Sequence, residues 1–367
     1  MNKTGFGFLR LPRVIPADDK TIDYELLDTM VDSFLAQGGD YFDTAYTYLG
    51  GLSEEALCKS LVQRYPRDSF RIADKLPGYQ LKSYEECNTY FKDSLRRCGV
   101  DYFDVYMLHW LNDKNYEIAE AQDQFRFLQE VKAAGNAKKI GFSYHDSPEL
   151  LDRILHAHPE VDYVQLQINY LDWDSVSIRA RECYETAAKH GKKVIVMEPV
   201  KGGSLANLPE KAAGLLQGIH PEESIASWAI RFVTELPKVE IVLSGMNTVE
   251  QMSDNMRDFL PLQDTERNAL NQVAKIIRSS TAIPCTGCNY CSPNCPMRIS
   301  IPRYFALYND YARYPGEDWK MQNVYDDLTK TGGNPSDCVG CKRCEQNCPQ
   351  KIEVTSFLPK VAEVFEK

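Results

Sequence analysis

YFDTAYTYLG, residues 41–50, begins as a short apolar, β-prone run and ends that run on a carboxylate, Asp43, before turning through polar and aromatic residues. A charged side chain closing a strand is the hallmark of the C-terminal face of a parallel α/β barrel. Working outward, seven more runs have the same character: TGFGFLRL (4–11), FRIADK (70–75), YFDVYMLH (102–109), KKIGFS (138–143), YVQLQIN (163–169), KKVIVMEP (192–199) and EIVLSG (240–245). Amphipathic stretches separate them, such as DYELLDTMVDSFLAQG (23–38), whose apolar residues recur at three- and four-residue spacing before a terminal glycine. Eight such alternations predict a (β/α)8 barrel. The first strand is not followed by a G-x-G-x-x-G turn, which counts against an open dinucleotide-binding sheet.

The alternation stops after LNQVAKIIRSS (270–280). Residues 1–280 are therefore expected to form the barrel and 281–367 a second domain. That second region holds Cys285, Cys288, Cys291 and Cys295, repeated at an offset of 53 residues as Cys338, Cys341, Cys344 and Cys348. Each set reads C-x2-C-x2-C-x3-C and runs straight into proline, Pro296 or Pro349. This is the bacterial ferredoxin-type run for a [4Fe-4S] cluster, in which the fourth cysteine reaches the other cluster. The expected ligand sets are crossed: Cys285, Cys288, Cys291 with Cys348, and Cys338, Cys341, Cys344 with Cys295. A zinc site would use paired hooks, four ligands to a metal, and the third close cysteine with the Cys-Pro ending argues against it. Disulfides would need a secreted context, and MNKTGFGFLRLPRV lacks the apolar core of a signal peptide. The segments PRYFALYNDYARY (302–314) and DWKMQNVYDDLTKTGGN (318–334) between the sets look helical, so the region resembles the mostly helical ferredoxin-like arrangement.

With 367 residues and a net charge of -10, the chain gives no electrostatic reason to bind nucleic acid. No run approaches the roughly 20 apolar residues that span a bilayer. A cytoplasmic, reducing location is expected, without nucleic-acid or membrane partners.

In a parallel barrel the strand ends converge. Asp43 closes the second run, Lys75 the third and His109 the fourth, while Tyr48 lies on the loop after Asp43. At these residues the chain resembles the aldo-keto reductase superfamily. YFDTAYTYLGGLSEEALCKSL is similar to its F-D-T-A-x-x-Y-x-x-G-x-S-E-x-x-L-G signature, with Cys58 in place of the closing glycine. The resemblance implies an oxidoreductase that reduces a small carbonyl compound or oxidises the alcohol, with Asp43, Tyr48, Lys75 and His109 as its tetrad. Carbonyl reduction needs a general acid beside the developing alkoxide. A phenol titrates near 10, so Lys75 is expected to favour its phenolate, Asp43 to hold Lys75, and His109 to orient the carbonyl oxygen.

The resemblance also implies a nicotinamide cofactor, NADPH, with NADH the alternative. Ser143 and Gln165 match the carboxamide positions; Met197 stands where a tyrosine stacks, and Tyr144 where asparagine follows the serine. IVLSGMNTVEQMSDN resembles the adenosine-phosphate segment, placing Gly245 at the phosphate, Gln251 near the ribose phosphate, and Asp254 and Asn255 at adenine. Residues 246–253 contain no Arg or Lys. Lys201 reads either as a charge for that phosphate or as a solvated surface lysine. His145 and Asp146 read either as pocket residues or as the cap of the next helix, and Cys58, Cys87, Cys98 and Cys183 as unreactive thiols. Three ways of joining the halves stay open. The clusters are structural, or they carry electrons from a ferredoxin-like donor to the barrel with nicotinamide dispensable, or the chain is an electron-transfer module with a quiet barrel.

Overall fold

The computed structural model describes residues 3–366 other than 16, 17, 19, 176, 177 and 314–317. Eight parallel strands close a barrel in sequence order: β1 (Thr4–Gly7), β2 (Tyr41–Asp43), β3 (Arg71–Leu76), β4 (Phe103–Leu111), β5 (Ala137–Tyr144), β6 (Tyr163–Gln167), β7 (Lys193–Met197) and β8 (Val239–Ser244). The ring closes where Phe6 of β1 pairs with Ser244 of β8. Every run singled out above overlaps one of these strands.

Side chains alternate across a strand with a period of two. One face packs outward on the helices; the other forms the lumen, filled by Tyr41, Ala73, Val105, Met107, Tyr163, Ile195, Ile241 and Leu243. The barrel is plugged, as branched and aromatic layers require. Its narrowness shows at Gly5, where an added Cβ would come within 2.9 Å of Ile241 and of Leu243. The next lumen-facing position on each strand, two residues on, is at the mouth. Tyr41 leads to Asp43, Ala73 to Lys75, Met107 to His109, Tyr163 to Gln165 and Ile195 to Met197. The plug and the polar mouth are thus consecutive layers of one pattern.

The chain forms two compact units, residues 1–200 with 226–262, and residues 201–225 with 263–367. This departs from the division expected at residue 280. The reason is local: the helix Glu210–Gln217 packs on the helix Asp264–Ser280, so both fall in the second unit. That unit continues with helices Ile301–Arg313, Asp318–Thr329 and Val354–Phe365 around a core of Ile299, Tyr304, Phe305, Leu328, Val361 and Phe365. The two segments expected to be helical form Ile301–Arg313 and Asp318–Thr329, while residues 330–334 are not helical; the end of the first segment, at 314, and the Pro315–Gly316 break lie outside the described residues. Among the described residues no helix is long and apolar enough to cross a membrane.

Candidate functional site

Asp43, Lys75, His109 and Tyr48 meet at the barrel mouth. Lys75 Nζ donates to Asp43 Oδ1 at 2.5 Å and to the Thr44 carbonyl at 2.7 Å, with side-chain exposures of 0% for Lys75 and 3% for Asp43. Burial pushes the Asp43 carboxyl above its ordinary range, and the ammonium pulls it only part of the way back. Tyr48 is delivered by a turn in which Leu49, Gly50 and Gly51 all take left-handed φ, 51°, 66° and 96°, a conformation glycine adopts without a steric penalty. Its ring centroid lies 4.9 Å from Lys75 Nζ and 5.6 Å from the His109 ring. Tyr79 packs edge-on against His109 and Trp110. Tyr79 had no sequence signal, because it belongs to a short turn beyond a strand end.

Burial first, then the Lys75 and His145 charges, hold the His109 imidazole well below its usual 6.5, so the ring is neutral. Its Nδ1 is buried without a hydrogen-bond partner. The Tyr48 phenol is raised well above 10, by burial first and then by the Asp43 charge. Lys75 therefore does not bring the resting phenol below its ordinary range. The ammonium is already answered by Asp43, and desolvation of the phenol dominates. Tyr48 keeps its proton at neutral pH.

The rest of the signature is scaffold. Ser53 Oγ donates to the Phe8 carbonyl at 3.0 Å and shares a hydrogen bond with Thr44 Oγ1 at 2.7 Å. Glu54 accepts from Arg97 at 3.1 Å and hydrogen-bonds Asp74, whose carboxyl is pushed well above its ordinary range by burial and then by Glu54. Burial thus favours a proton shared between the two carboxyls. Cys58 packs toward Gly99, where a Cβ would come within 2.7 Å of its sulphur. Burial raises the Cys87 thiol to about 11 and the Cys183 thiol to about 12, as inert thiols require.

Ser143 and Gln165 stand side by side, paired in register between β5 and β6. Ser143 Oγ accepts from the Trp110 amide at 2.7 Å. Gln165 Nε2 donates to Met197 Sδ at 3.7 Å, while Gln165 Oε1 is buried without a hydrogen-bond partner. Tyr144 is turned into the core and donates to the Ser147 carbonyl at 2.6 Å. Ser147 caps the next helix by accepting from the Leu150 amide, so neither His145 nor Asp146 is its cap. Beside Met197, Glu198 adopts a φ of 56° and pairs with Arg10 at 3.8 Å. A charged residue just past a strand end was a readable signal there.

At the other end of the expected cofactor segment, Gly245 is overlaid by the Arg10 stem. Gln251 Oε1 accepts from the Asn247 amide at 2.9 Å, and Asn255 Nδ2 donates to Ser244 Oγ at 2.9 Å. Asp254 pairs with Arg257 at 2.8 Å, which places a cation just beyond residues 246–253.

In the second unit the 53-residue repeat is also conformational. Gly287 and Gly340, Asn289 and Lys342, and Arg298 and Lys351 are all left-handed. The Arg298 amide donates to the Cys295 carbonyl as Lys351 does to Cys348, both at 3.1 Å. Cys295, Cys338, Cys341 and Cys344 line one hollow. Cys285, Cys288, Cys291 and Cys348 lie near enough to feel one another's charge. These groupings coincide with the crossed sets. Among the described residues only Glu54, Asp74 and Cys98 bring three ligand atoms within 4.8 Å. The cysteine sulphurs are therefore spread more widely than around a single zinc, whose bonds to sulphur are about 2.3 Å. Lys201 is neither solvated nor in the barrel unit. It is 5% exposed, donates to Gln350 Oε1 at 2.8 Å and belongs to the second unit.

The model of the aldo/keto reductase family matches residues 5–275. The chain belongs to the aldo-keto reductase family. A 4Fe-4S dicluster domain matches residues 284–353, so this aldo-keto reductase carries an iron-sulphur region after its barrel. It is similar to an aldo-keto reductase of Mycobacterium avium, 23% identical with 64% of this chain and 76% of that protein covered. It is also similar to the NADH-specific methylglyoxal reductase of Escherichia coli, 22% identical, covering 71% of this chain and 91% of that one. Among solved structures, the holo aldo-keto reductase of Bacillus halodurans superposes with a TM-score of 0.59 at 25% identity, over 74% of this chain and 91% of its own. A Klebsiella pneumoniae aldo-keto reductase in complex with NADP and acetate gives 0.60 at 18%, over 74% and 91%.

Proposed function

We propose that the protein reduces a small aldehyde or ketone, or oxidises the corresponding alcohol, at the barrel mouth, and that it carries two [4Fe-4S] clusters on the crossed cysteine sets. The observation that carries this reading is the sealed Asp43–Lys75 pair at 2.5 Å, with Tyr48 and His109 against it. Tyr48 is the acid in reduction: its proton passes to the carbonyl oxygen as negative charge develops there. His109, neutral and with Nδ1 uncommitted, orients that oxygen. Lys75, held by Asp43 and the Thr44 carbonyl, keeps positive charge beside the phenol as it loses its proton.

A nicotinamide cofactor supplies the hydride when bound. The residues fit its nicotinamide end well, since the orphaned Gln165 Oε1 is a buried acceptor awaiting an amide N–H. Ser143 and Gln165 would hold the carboxamide and Met197 the ring face. Gly245, Gln251, Asp254 and Asn255 would take the adenosine portion, although Gln251 and Asn255 are engaged within the fold. NADPH is the family cofactor, and with no cation in residues 246–253, NADH is expected to serve as well. The relative named as an NADH-specific methylglyoxal reductase fits that choice and a small carbonyl substrate.

The clusters exchange single electrons with a ferredoxin-like partner. The location expected for such clusters is the reducing cytoplasm. In the anaerobically purified full chain, Tyr48→Phe is expected to lower carbonyl reduction about 10²–10⁴-fold while leaving cluster absorbance unchanged. Full activity in that variant removes Tyr48 as the acid. Titration with NADPH and NADH, with nicotinamide and cluster signals followed together, then shows whether the clusters lie in the hydride path.

A further inference from the structure

The two cysteine sites share a backbone but not a charge environment. Gln350 stands two residues past Cys348, and at the matching place in the repeat, two residues past Cys295, stands Met297. Met297 lines the hollow of its own site. Gln350 instead does two things at once: its backbone N–H donates to the Cys348 sulphur, and its side-chain oxygen accepts from Lys201 at 2.8 Å. Gln350 is 7% exposed and Lys201 5%. The chain delivers Lys201 through consecutive left-handed residues, Lys201, Gly202 and Gly203, at φ of 47°, 65° and 97°. Such a conformation is costly for a lysine and persists only where its surroundings fix it.

A cluster's potential follows its net charge, the hydrogen bonds to its sulphurs and its exposure to solvent. One-electron reduction adds a unit of negative charge, and a buried ammonium favours the more negative state because little water screens it. We propose that Lys201, fixed by Gln350, makes the two clusters inequivalent by raising the reduction potential of the one held by Cys285, Cys288, Cys291 and Cys348. The inference rests on the crossed assignment of the cysteines to two cubanes. Electrons entering the chain then settle first on that cluster, with the cluster of Cys338, Cys341, Cys344 and Cys295 at lower potential.

The test is an EPR-monitored redox titration of the anaerobic full chain with dithionite, alongside iron analysis. The wild type is expected to contain about eight iron and two clusters of distinct potential. Lys201→Met should shift only the higher potential downward, by a tenfold or greater change in the reduced-to-oxidised ratio, about 59 mV for one electron. Lys201→Arg should restore it. Should Lys201→Met lose iron, Gln350→Met decides, since it copies the other site and must lower the same potential in the loaded protein. Equal wild-type potentials, an unchanged potential in a fully loaded Lys201→Met or Gln350→Met, or a fall in Lys201→Arg as large as in Lys201→Met overturns the proposal. Wild-type protein with four or fewer iron overturns the two-cluster reading itself, and this inference with it.

Discussion

The barrel mouth and the cysteine loops gather reactive groups by opposite means. At the mouth, adjacent strands in fixed register present each residue one step above the lumen plug, and the groups bind one another: Asp43 to Lys75, Ser143 to Trp110, Gln165 to Met197. In the second unit the cysteines sit on turns punctuated by left-handed residues. Burial raises their thiols, to about 11 at Cys285, about 12 at Cys291 and about 11 at Cys344. Cluster assembly must displace those protons, so loading and folding of these loops are coupled. One site is built by its backbone; the other is finished by what it binds.

Stripping the clusters by oxidation and chelation should give the largest effect and the sharpest contrast. The stripped chain is expected to be cut by trypsin within residues 281–367 while the barrel fragment survives. Equal protease resistance before and after stripping would show that the cysteine loops are as self-supporting as the mouth. Next comes Lys75→Met, which strands a buried carboxylate and should cost about 3–5 kcal/mol near neutral pH without loss of iron. Asp43 already titrates above its ordinary 3.8, and without Lys75 it titrates higher still. The folded variant then binds more protons than its unfolded chain, so its deficit against wild type shrinks as pH falls toward 3.8. Chemical denaturation at two pH values checks that sign, and a deficit that grows on acidification contradicts it.

What the sequence made legible follows the same divide. Apolar, β-prone runs alternating with amphipathic stretches marked all eight strands, and the polar residues ending three of those runs marked Asp43, Lys75 and His109. The cysteine spacing marked the two groups of cysteines that the fold gathers. Glu198 carries a strand-end signal, but its pairing with Arg10 has none, because it needs two loops that only the closed barrel brings together. The burial of Lys201 has no sequence signal, because lysine is seldom buried and its amide partner lies 149 residues away. The Tyr48 shift has no sequence signal for a related reason. Its neighbour Lys75 is plain in the sequence, whereas the desolvation that outweighs Lys75 exists only once the mouth has folded.

A smaller effect tests whether the mouth is finished without its ligand. Gln165→Leu removes a buried acceptor that has no partner in the fold, so Tm should hold or rise. Nicotinamide binding should weaken by about 1–3 kcal/mol, read by fluorescence titration. A drop in Tm with unchanged binding would make Gln165 a structural residue like Asn255.

The smallest expected effect is a flat line. The Tyr48 phenol lies well above 10.0 and the His109 imidazole well below 6.5. Between those two values neither group changes protonation, so carbonyl reduction at saturating cofactor should not vary with pH. Alcohol oxidation needs the phenolate, whose share grows tenfold for each pH unit below the phenol's pKa, and should climb across the same interval. The two directions measured on one preparation separate the acid from the scaffold: a falling limb in reduction between 6.5 and 10.0 would mean that a group of lower pKa than Tyr48 donates the proton.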